Sequence, residues 1–171
     1  MVGLLIRHGH AAPEDRSLAG RRAAVPLDDV GREQAHVLAH ALTWLTLSGV
    51  YSSPVEGAVE TAFPLANDHG LDVRVRPALT DVDFAGEPLA DVQRRVVAEL
   101  MTLAKSHQGE TVAIVTHDEP IRCALAAFSG RTLDDIMNVE ISPTHVSAIG
   151  ITPSGICEVL GVNLTALEVT V

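Results

Sequence analysis

Hydrophobic positions along the chain fall into short apolar runs that take turns with stretches of helical period. Val2 to Ile6 is an uncharged run of strand length, and it breaks off at Arg7, His8 and Gly9. Residues 7 to 26 then read as a long loop. Asp28 or Asp29 can cap a helix in which Ala35, Leu38, Ala39, Leu42 and Leu45 share one face, which predicts a helix to about Leu47, stopped by Gly49. Val50 to Ser52 reads as a short strand. Ser53-Pro54-Val55-Glu56 has the form of a capping box with proline at the first helical position, and the helix it opens should run to about Asp68, before Gly70.

The second half repeats the alternation. Leu71 to Val75 predicts a third strand, residues 76 to 88 a loop, and Leu89 to about His107 a helix ended by Gly109. Thr111 to Thr116 is a further buried strand, after which Pro120 opens a helix that continues to Phe128 and stops at Gly130. Val146 to Ile151 and Ile156 to Val162 flank Thr152-Pro153-Ser154-Gly155, a hairpin turn. The fold expected is α/β: a single three-layer α/β/α domain over residues 1–171, with a mostly parallel central sheet and a late antiparallel hairpin. His8, the loop holding Asp81, and His117 each follow a strand. They therefore share the carboxyl edge of the sheet, where such folds meet their ligands.

Composition narrows the partners. At 171 residues and 47% hydrophobic content, the chain has enough apolar material for one core and little for a second. A formal charge of −10 argues against nucleic acid and against an anionic membrane, because both reward clustered basic residues. No apolar run nears the roughly 20 residues that span a bilayer, and no signal peptide precedes the first strand, so a cytoplasmic location is expected. Cys123 and Cys157 sit in mainly apolar contexts and read as buried small hydrophobes rather than a disulfide or nucleophiles.

Several short motifs recur in a telling order: Leu4-Leu5-Ile6-Arg7-His8-Gly9, Pro26-Leu27 with Gly31-Arg32-Glu33-Gln34-Ala35, Ser52-Ser53-Pro54, Thr61-Ala62, and Val115-Thr116-His117. Together they cover nearly the whole chain. In this the sequence resembles the histidine phosphatase superfamily, also called phosphoglycerate mutase-like. The resemblance implies that His8 attacks phosphorus and forms a phosphohistidine, with no cofactor and no metal. Arg7 would attract the phosphoryl oxygens and keep the ring neutral, and His117 would stabilise the charge of the transition state. It implies Asp81 as proton donor by one branch of the family and Asp118 by another, and both remain open. The substrate would be a small phosphorylated molecule, or a phosphoprotein, because the chain lacks the insertions that cover the pocket in larger relatives.

Further substrate contacts are assigned around these positions. Gly9 lets the backbone bend closely around a ligand, and His10 follows it. Arg122 could serve the phosphate or pair with Asp118 or Glu119. Ser147 could line the pocket or simply sit in the sheet. His36 and His40, one helical turn apart, read as a solvated face. A zinc site from His10, His117 and Asp118 lacks the usual ligand spacing.

Three positions depart from the family pattern. Gly57, beside Glu56, stands where relatives carry a second phosphate-binding arginine, and Asp118-Glu119 stands where uncharged residues commonly follow the second histidine. The pocket would be about three charges more negative than the pattern, a deficit worth kilocalories if water is excluded. Arg16, Arg21 and Arg22 could fold over the site and compensate, or remain solvated surface charges. If they do not compensate, two other readings stand: a small-molecule binding module, or an acid/base enzyme of isomerase, dehydratase or cyclase type acting on an unphosphorylated substrate.

Overall fold

The computed structural model describes residues 1–11, 26–82 and 86–170. Strands β1 (Val2–Arg7), β2 (Leu47–Ser52), β3 (Val73–Val75) and β4 (Thr111–Thr116) run parallel, while β5 (Val146–Ile151) and β6 (Cys157–Leu164) close the sheet antiparallel. The six strands lie in the order β3-β2-β4-β1-β5-β6. β4 and β1 sit at the centre.

Helices α1 (Asp29–Ala41) and α2 (Glu56–Asp68) cover one face, and α3 (Leu89–Ser106) and α4 (Asp118–Ser129) the other. Period two in the strands explains the two cores. Leu4, Ile6, Ala113 and Val115 point to the first layer with Leu38, Leu42, Ala58 and Leu65. Leu5, Val112 and Ile114 point to the second with Val96, Leu100, Ile121 and Leu125. The expected three-layer α/β architecture is therefore present. Among the described residues no helix is long and apolar enough to cross a membrane.

Several boundaries differ from the sequence expectation, each for a local reason. Asp28 is the cap of α1, accepting from the Gly31 N–H at 2.8 Å. That helix stops at Ala41 rather than Leu47, and Leu47 already pairs in β2. Gly49 lies inside β2 and stops nothing; a Cβ there would stand 3.0 Å from the Tyr51 ring. The capping box expected at Ser53 does not form. The Ser53 N–H continues the strand ladder to the Val115 carbonyl at 2.9 Å, and α2 begins at Glu56 with Val55 as an N-cap that makes no side-chain bond. Helix α4 starts two residues before Pro120, which a first-turn proline permits because that N–H has no helical partner anyway. A short helix α5 (Leu133–Ile136) was not expected, although Thr132 and Asp135 form a capping box around it. Pro77–Leu79 forms a 3-10 turn inside the segment expected to be loop.

Helix α1 is seated against the chain leaving β1 by two facing glycines. A Cβ on Gly9 would lie 2.6 Å from the Gly31 carbonyl oxygen, and one on Gly31 would overlap the His10 carbonyl. Ordinarily glycine to alanine inside a helix gains about 1 kcal/mol. Here Gly31→Ala should instead destabilise by about 1–3 kcal/mol, the cost of forcing atoms into a filled contact. Urea denaturation of the variant measures this; a gain in stability would contradict the packing.

Candidate active site

The pairing of β1 with β4 creates the site. Arg7 stands opposite Thr116, and the His8 N–H donates to the Thr116 carbonyl at 3.0 Å, so His8 and His117 leave the sheet side by side. Their ring centroids are 5.0 Å apart, at an interplanar angle of 67°. Ser53 emerges from β2 on the other flank of β4 and brings its Oγ to 2.8 Å from His117 Nε2. On the other side of that ring, Asp81 Oδ2 lies 3.9 Å from His117 Nδ1. His117 is buried, and its ring is held between these two groups.

His8 has a defined tautomer. Its Nδ1 lies 2.7 Å from the Gly9 carbonyl oxygen, which can only accept, so the neutral ring carries its hydrogen at Nδ1 and its lone pair at Nε2. Burial lowers the pKa of His8 below the ordinary 6.5, and Arg7 adds to this; the Gly9 carbonyl and the charges of Asp81 and Asp118 oppose it. The Gly9 backbone is fixed in turn. Its N–H donates to Thr61 Oγ1 at 3.0 Å, and the Thr61 hydroxyl donates to the Gly57 carbonyl at 2.7 Å. This gives the Thr61-Ala62 motif a mechanical meaning: α2 clamps the turn that presents His8.

Arg7 donates from one terminal nitrogen to the Ile141 carbonyl at 2.7 Å, while the other lies 4.0 Å from Asp118 Oδ2. Its Nε is buried with no hydrogen-bond partner among the described residues. Arg122 takes the salt-bridge alternative, donating to Asp118 Oδ2 at 3.1 Å and to the Val139 carbonyl at 2.9 Å. Asp118 thus faces two guanidinium groups and hydrogen-bonds Glu119. Burial works against its charge, but the bond from Glu119 and the two arginines outweigh it and hold the carboxyl at about 2. Glu119 moves the opposite way. Burial, the bond to Asp118 and the charges of Asp118 and Asp81 push it up to about 7.

Oxygens of Asp81, Asp118 and Glu119 come within 4.8 Å of one another. A hard cation would need several free oxygens in that space. Asp118 Oδ2 already faces two guanidinium groups, and no metal is assigned here. A groove of about 560 Å3 between α1 and the segment before β5, lined among others by Val30, Gln34, Leu38, Thr144 and His145, has neither His8 nor His117 in its walls.

The remaining candidates divide. Gly57 is buried in the first turn of α2 and Glu56, beside it, is exposed. His10 is exposed and its Nδ1 is paired with Asp28. Ser147, expected either to line the pocket or to sit in the sheet, lies in β5 opposite Leu5, is buried, and accepts from the Asn163 N–H at 3.2 Å. His36 and His40 are exposed on α1. Both cysteines are free: Cys123 is buried and Cys157 only partly so. Arg16, Arg21 and Arg22 lie outside the described residues, as does the 83–85 part of the Asp81 loop.

Two contributors escaped the sequence reading. Ser53 was read as a helix cap, although a serine one residue past a strand on this edge is equally a site residue. Arg95 is the second. From the middle of α3 it donates to the carbonyls of Ala78, Thr80 and Asp81 at 2.7, 2.7 and 2.9 Å and pairs with Glu87 at 2.8 Å, which fixes the Asp81 loop. No local pattern announces a contact of this kind.

Comparison with known proteins identifies the family and the fold. The sequence pattern of the histidine phosphatase superfamily (branch 1) matches residues 4–85 and 82–165. Phosphoglycerate mutase-like protein 4 of Arabidopsis thaliana is 29% identical, over 81% of this chain and 76% of its own. Phosphoserine phosphatase 1 of Hydrogenobacter thermophilus is 26% identical, over 74% and 75%. Among solved structures, a phosphoserine phosphatase from Entamoeba histolytica in complex with phosphoserine superposes with a TM-score of 0.82 at 17% identity, covering 98% of this chain and 99% of that one. A mycobacterial glucosyl-3-phosphoglycerate phosphatase gives 0.80 at 19% identity, covering 96% and 99%. The fold is that of phosphoglycerate mutase, and with the family pattern spanning both halves of the site, the chain belongs to the histidine phosphatase superfamily, branch 1.

Proposed function

We propose that the chain is a phosphatase that hydrolyses a phosphate ester or phosphoramidate of a small molecule through a phosphohistidine on His8. The observation that carries this reading is the placement of the His8 ring, held at Nδ1 by the Gly9 carbonyl so that Nε2 is left for attack beside a second imidazole. A nucleophile must be unprotonated at the attacking atom, and the lowered pKa keeps it so near neutral pH. Arg7 and His117 would meet the phosphoryl oxygens. The Arg7 Nε, which has no partner among the described residues, supports this, because a buried N–H without an acceptor costs about 1–3 kcal/mol that a ligand oxygen would recover. Asp118, held ionised by its neighbours, is a poor proton donor at neutral pH, which leaves Asp81 and Glu119 for that task. Similarity to phosphoserine and glucosyl-3-phosphoglycerate phosphatases makes a small phosphorylated substrate the natural class.

One observation favours a second reading, binding without transfer: Gly57 contributes no guanidinium, and that of Arg7 is shared with Asp118. The two readings part on turnover. Supplied with an aryl phosphate or acetyl phosphate, the parent should release phosphate, and His8→Ala should lower the rate by roughly 1000-fold or more. Equal rates in parent and variant, or none in the parent, would remove the phosphatase reading.

The pH profile adds a second check. Only the neutral ring attacks, so a lowered His8 pKa extends activity to lower pH: the rate should hold as pH falls through 6.5 and drop only beneath it. A half-loss at 6.5 or above would contradict the buried, neutral ring. If the missing guanidinium limits anion binding, Gly57→Arg should tighten inorganic phosphate by roughly 10- to 100-fold, the scale of one charge-assisted hydrogen bond. Isothermal titration reads this directly, and an unchanged affinity would argue that phosphate is not the ligand.

A further inference from the structure

Helix α1 carries an apolar stripe on the side turned away from the sheet. Val30, Val37 and Trp44 are 59, 58 and 58% exposed and stand seven residues apart. Trp44 lies in the turn that continues the helix, where the Thr43 N–H still donates to the His40 carbonyl at 3.3 Å. Seven residues are close to two helical turns, so the three side chains lie in line. Gln34 and Ala41 fall between them at the alternating four-and-three spacing of a helix contact seam. The side facing the sheet is a different one, with Gly31, Ala35, Leu38 and Ala39 buried. Exposed apolar residues scattered singly are ordinary, but a line of them along one helix marks a contact surface.

The stripe has a hollow at one end and a projection at the other. Beside its first half runs the groove of about 560 Å3, with Val30, Gln34, Val37 and Leu38 on one wall and Thr144 and Ala166 on the other. The indole of Trp44 stands at the opposite end. At a rise of about 1.5 Å per residue, Val30 and Trp44 both lie about 10 Å from Val37, in opposite directions. A two-fold axis at Val37 therefore lays Trp44 of each copy against Val30 and the groove of the other. The flanks agree with that arrangement. In an antiparallel pair each flank of a helix meets the same flank of its twin, so Glu33 of one copy falls at the level of His40 of the other. Both residues are exposed, and a carboxylate acceptor then faces a ring N–H.

We propose that a second copy of this chain docks on this face, forming a symmetric antiparallel pair of α1 helices in which each Trp44 fills the groove of the other copy. Charge identifies the nature of the contact. At a formal −10 each, two copies repel at a distance, so the attraction is apolar and added salt should tighten it by screening. A basic partner drawn by Asp29 and Glu33 would respond in the opposite sense and would be released by salt. Neither His8 nor His117 lines the groove, so the pair leaves the candidate active site open. The proposal stands independently of the phosphatase reading.

Analytical ultracentrifugation of the full chain over a concentration series, at low and at high salt, is the test. The parent should pass from the mass of one chain to that of two as concentration rises, and at lower concentration when salt is high. Trp44 is the single tryptophan, so its fluorescence emission should move to shorter wavelength over the same range as the indole leaves water. Trp44→Glu and Val37→Glu should each raise the dissociation constant roughly 30-fold or more, the scale of a residue central to an interface. Both side chains are exposed in the single chain, and circular dichroism checks that the fold is kept. Ile156→Glu is the control. It alters a residue at least as exposed, in the β5–β6 hairpin on the side of α3, and should leave the dissociation constant unchanged. A parent still monomeric at about 1 mM, too weak for a specific contact, would overturn the proposal. So would a dimer that survives Trp44→Glu and Val37→Glu, one weakened as much by Ile156→Glu, one released by salt, or one that forms without a change in tryptophan emission.

Discussion

One register governs the molecule: β1 lies parallel to β4 with Arg7 opposite Thr116. Side chains alternate along each strand, so a slip of one residue would reverse which layer Leu4, Leu5 and Ile6 enter and would separate the two imidazoles. The cores fix that register. Leu4 and Ile6 are fully buried against α1 and α2, and Leu5 nearly so against the opposite layer. At about 25 cal/mol per Å2 of apolar surface, each such side chain contributes about 1.5–3 kcal/mol. The energetics of packing and the geometry of the site are thus one constraint, because the strands that bury the most apolar surface also end in the reactive residues.

Around that pair the fold spends hydrogen bonds on orientation. Thr61 holds Gly9, Gly9 holds the His8 ring, Ser53 and Asp81 flank His117, and Arg95 fixes the loop from which Asp81 projects. Few of these groups touch the space beside the two rings. Their common effect is preorganisation, which spares the reaction the cost of ordering side chains as charge develops. Charge is managed in the same way. The sequence suggests a site three units more negative than its family pattern, and one of the added carboxylates, Asp118, stands between two guanidinium groups.

Much of this was legible in the chain itself. The apolar runs and helical periods give the strand order along the chain and the three layers, and the residues that follow each strand gather on one edge. What escaped depended on contacts made across the fold. Helix α1 ends early because Leu47 finds a partner in β4, and nothing within residues 42–47 records that pairing. Ser53 reads locally as a cap and is used instead by a histidine 64 residues away. Ser147 resembles a pocket residue until its hydroxyl is found on the Asn163 backbone. The choice between Asp118 and its rivals required knowing which carboxyl the arginines face, and neither spacing nor composition carries that. By contrast, the capping box of α5 was written in Thr132 and Asp135 and was simply unread.

The central claim is that the imidazole of His8 and that of His117 present one phosphoryl site. A crystal soaked with vanadate addresses it most directly. The account predicts vanadium within bonding distance of His8 Nε2, with its oxygens on the Arg7 guanidinium and His117. Vanadate bound elsewhere, or lying against the carboxylates without a bond to that nitrogen, would contradict it.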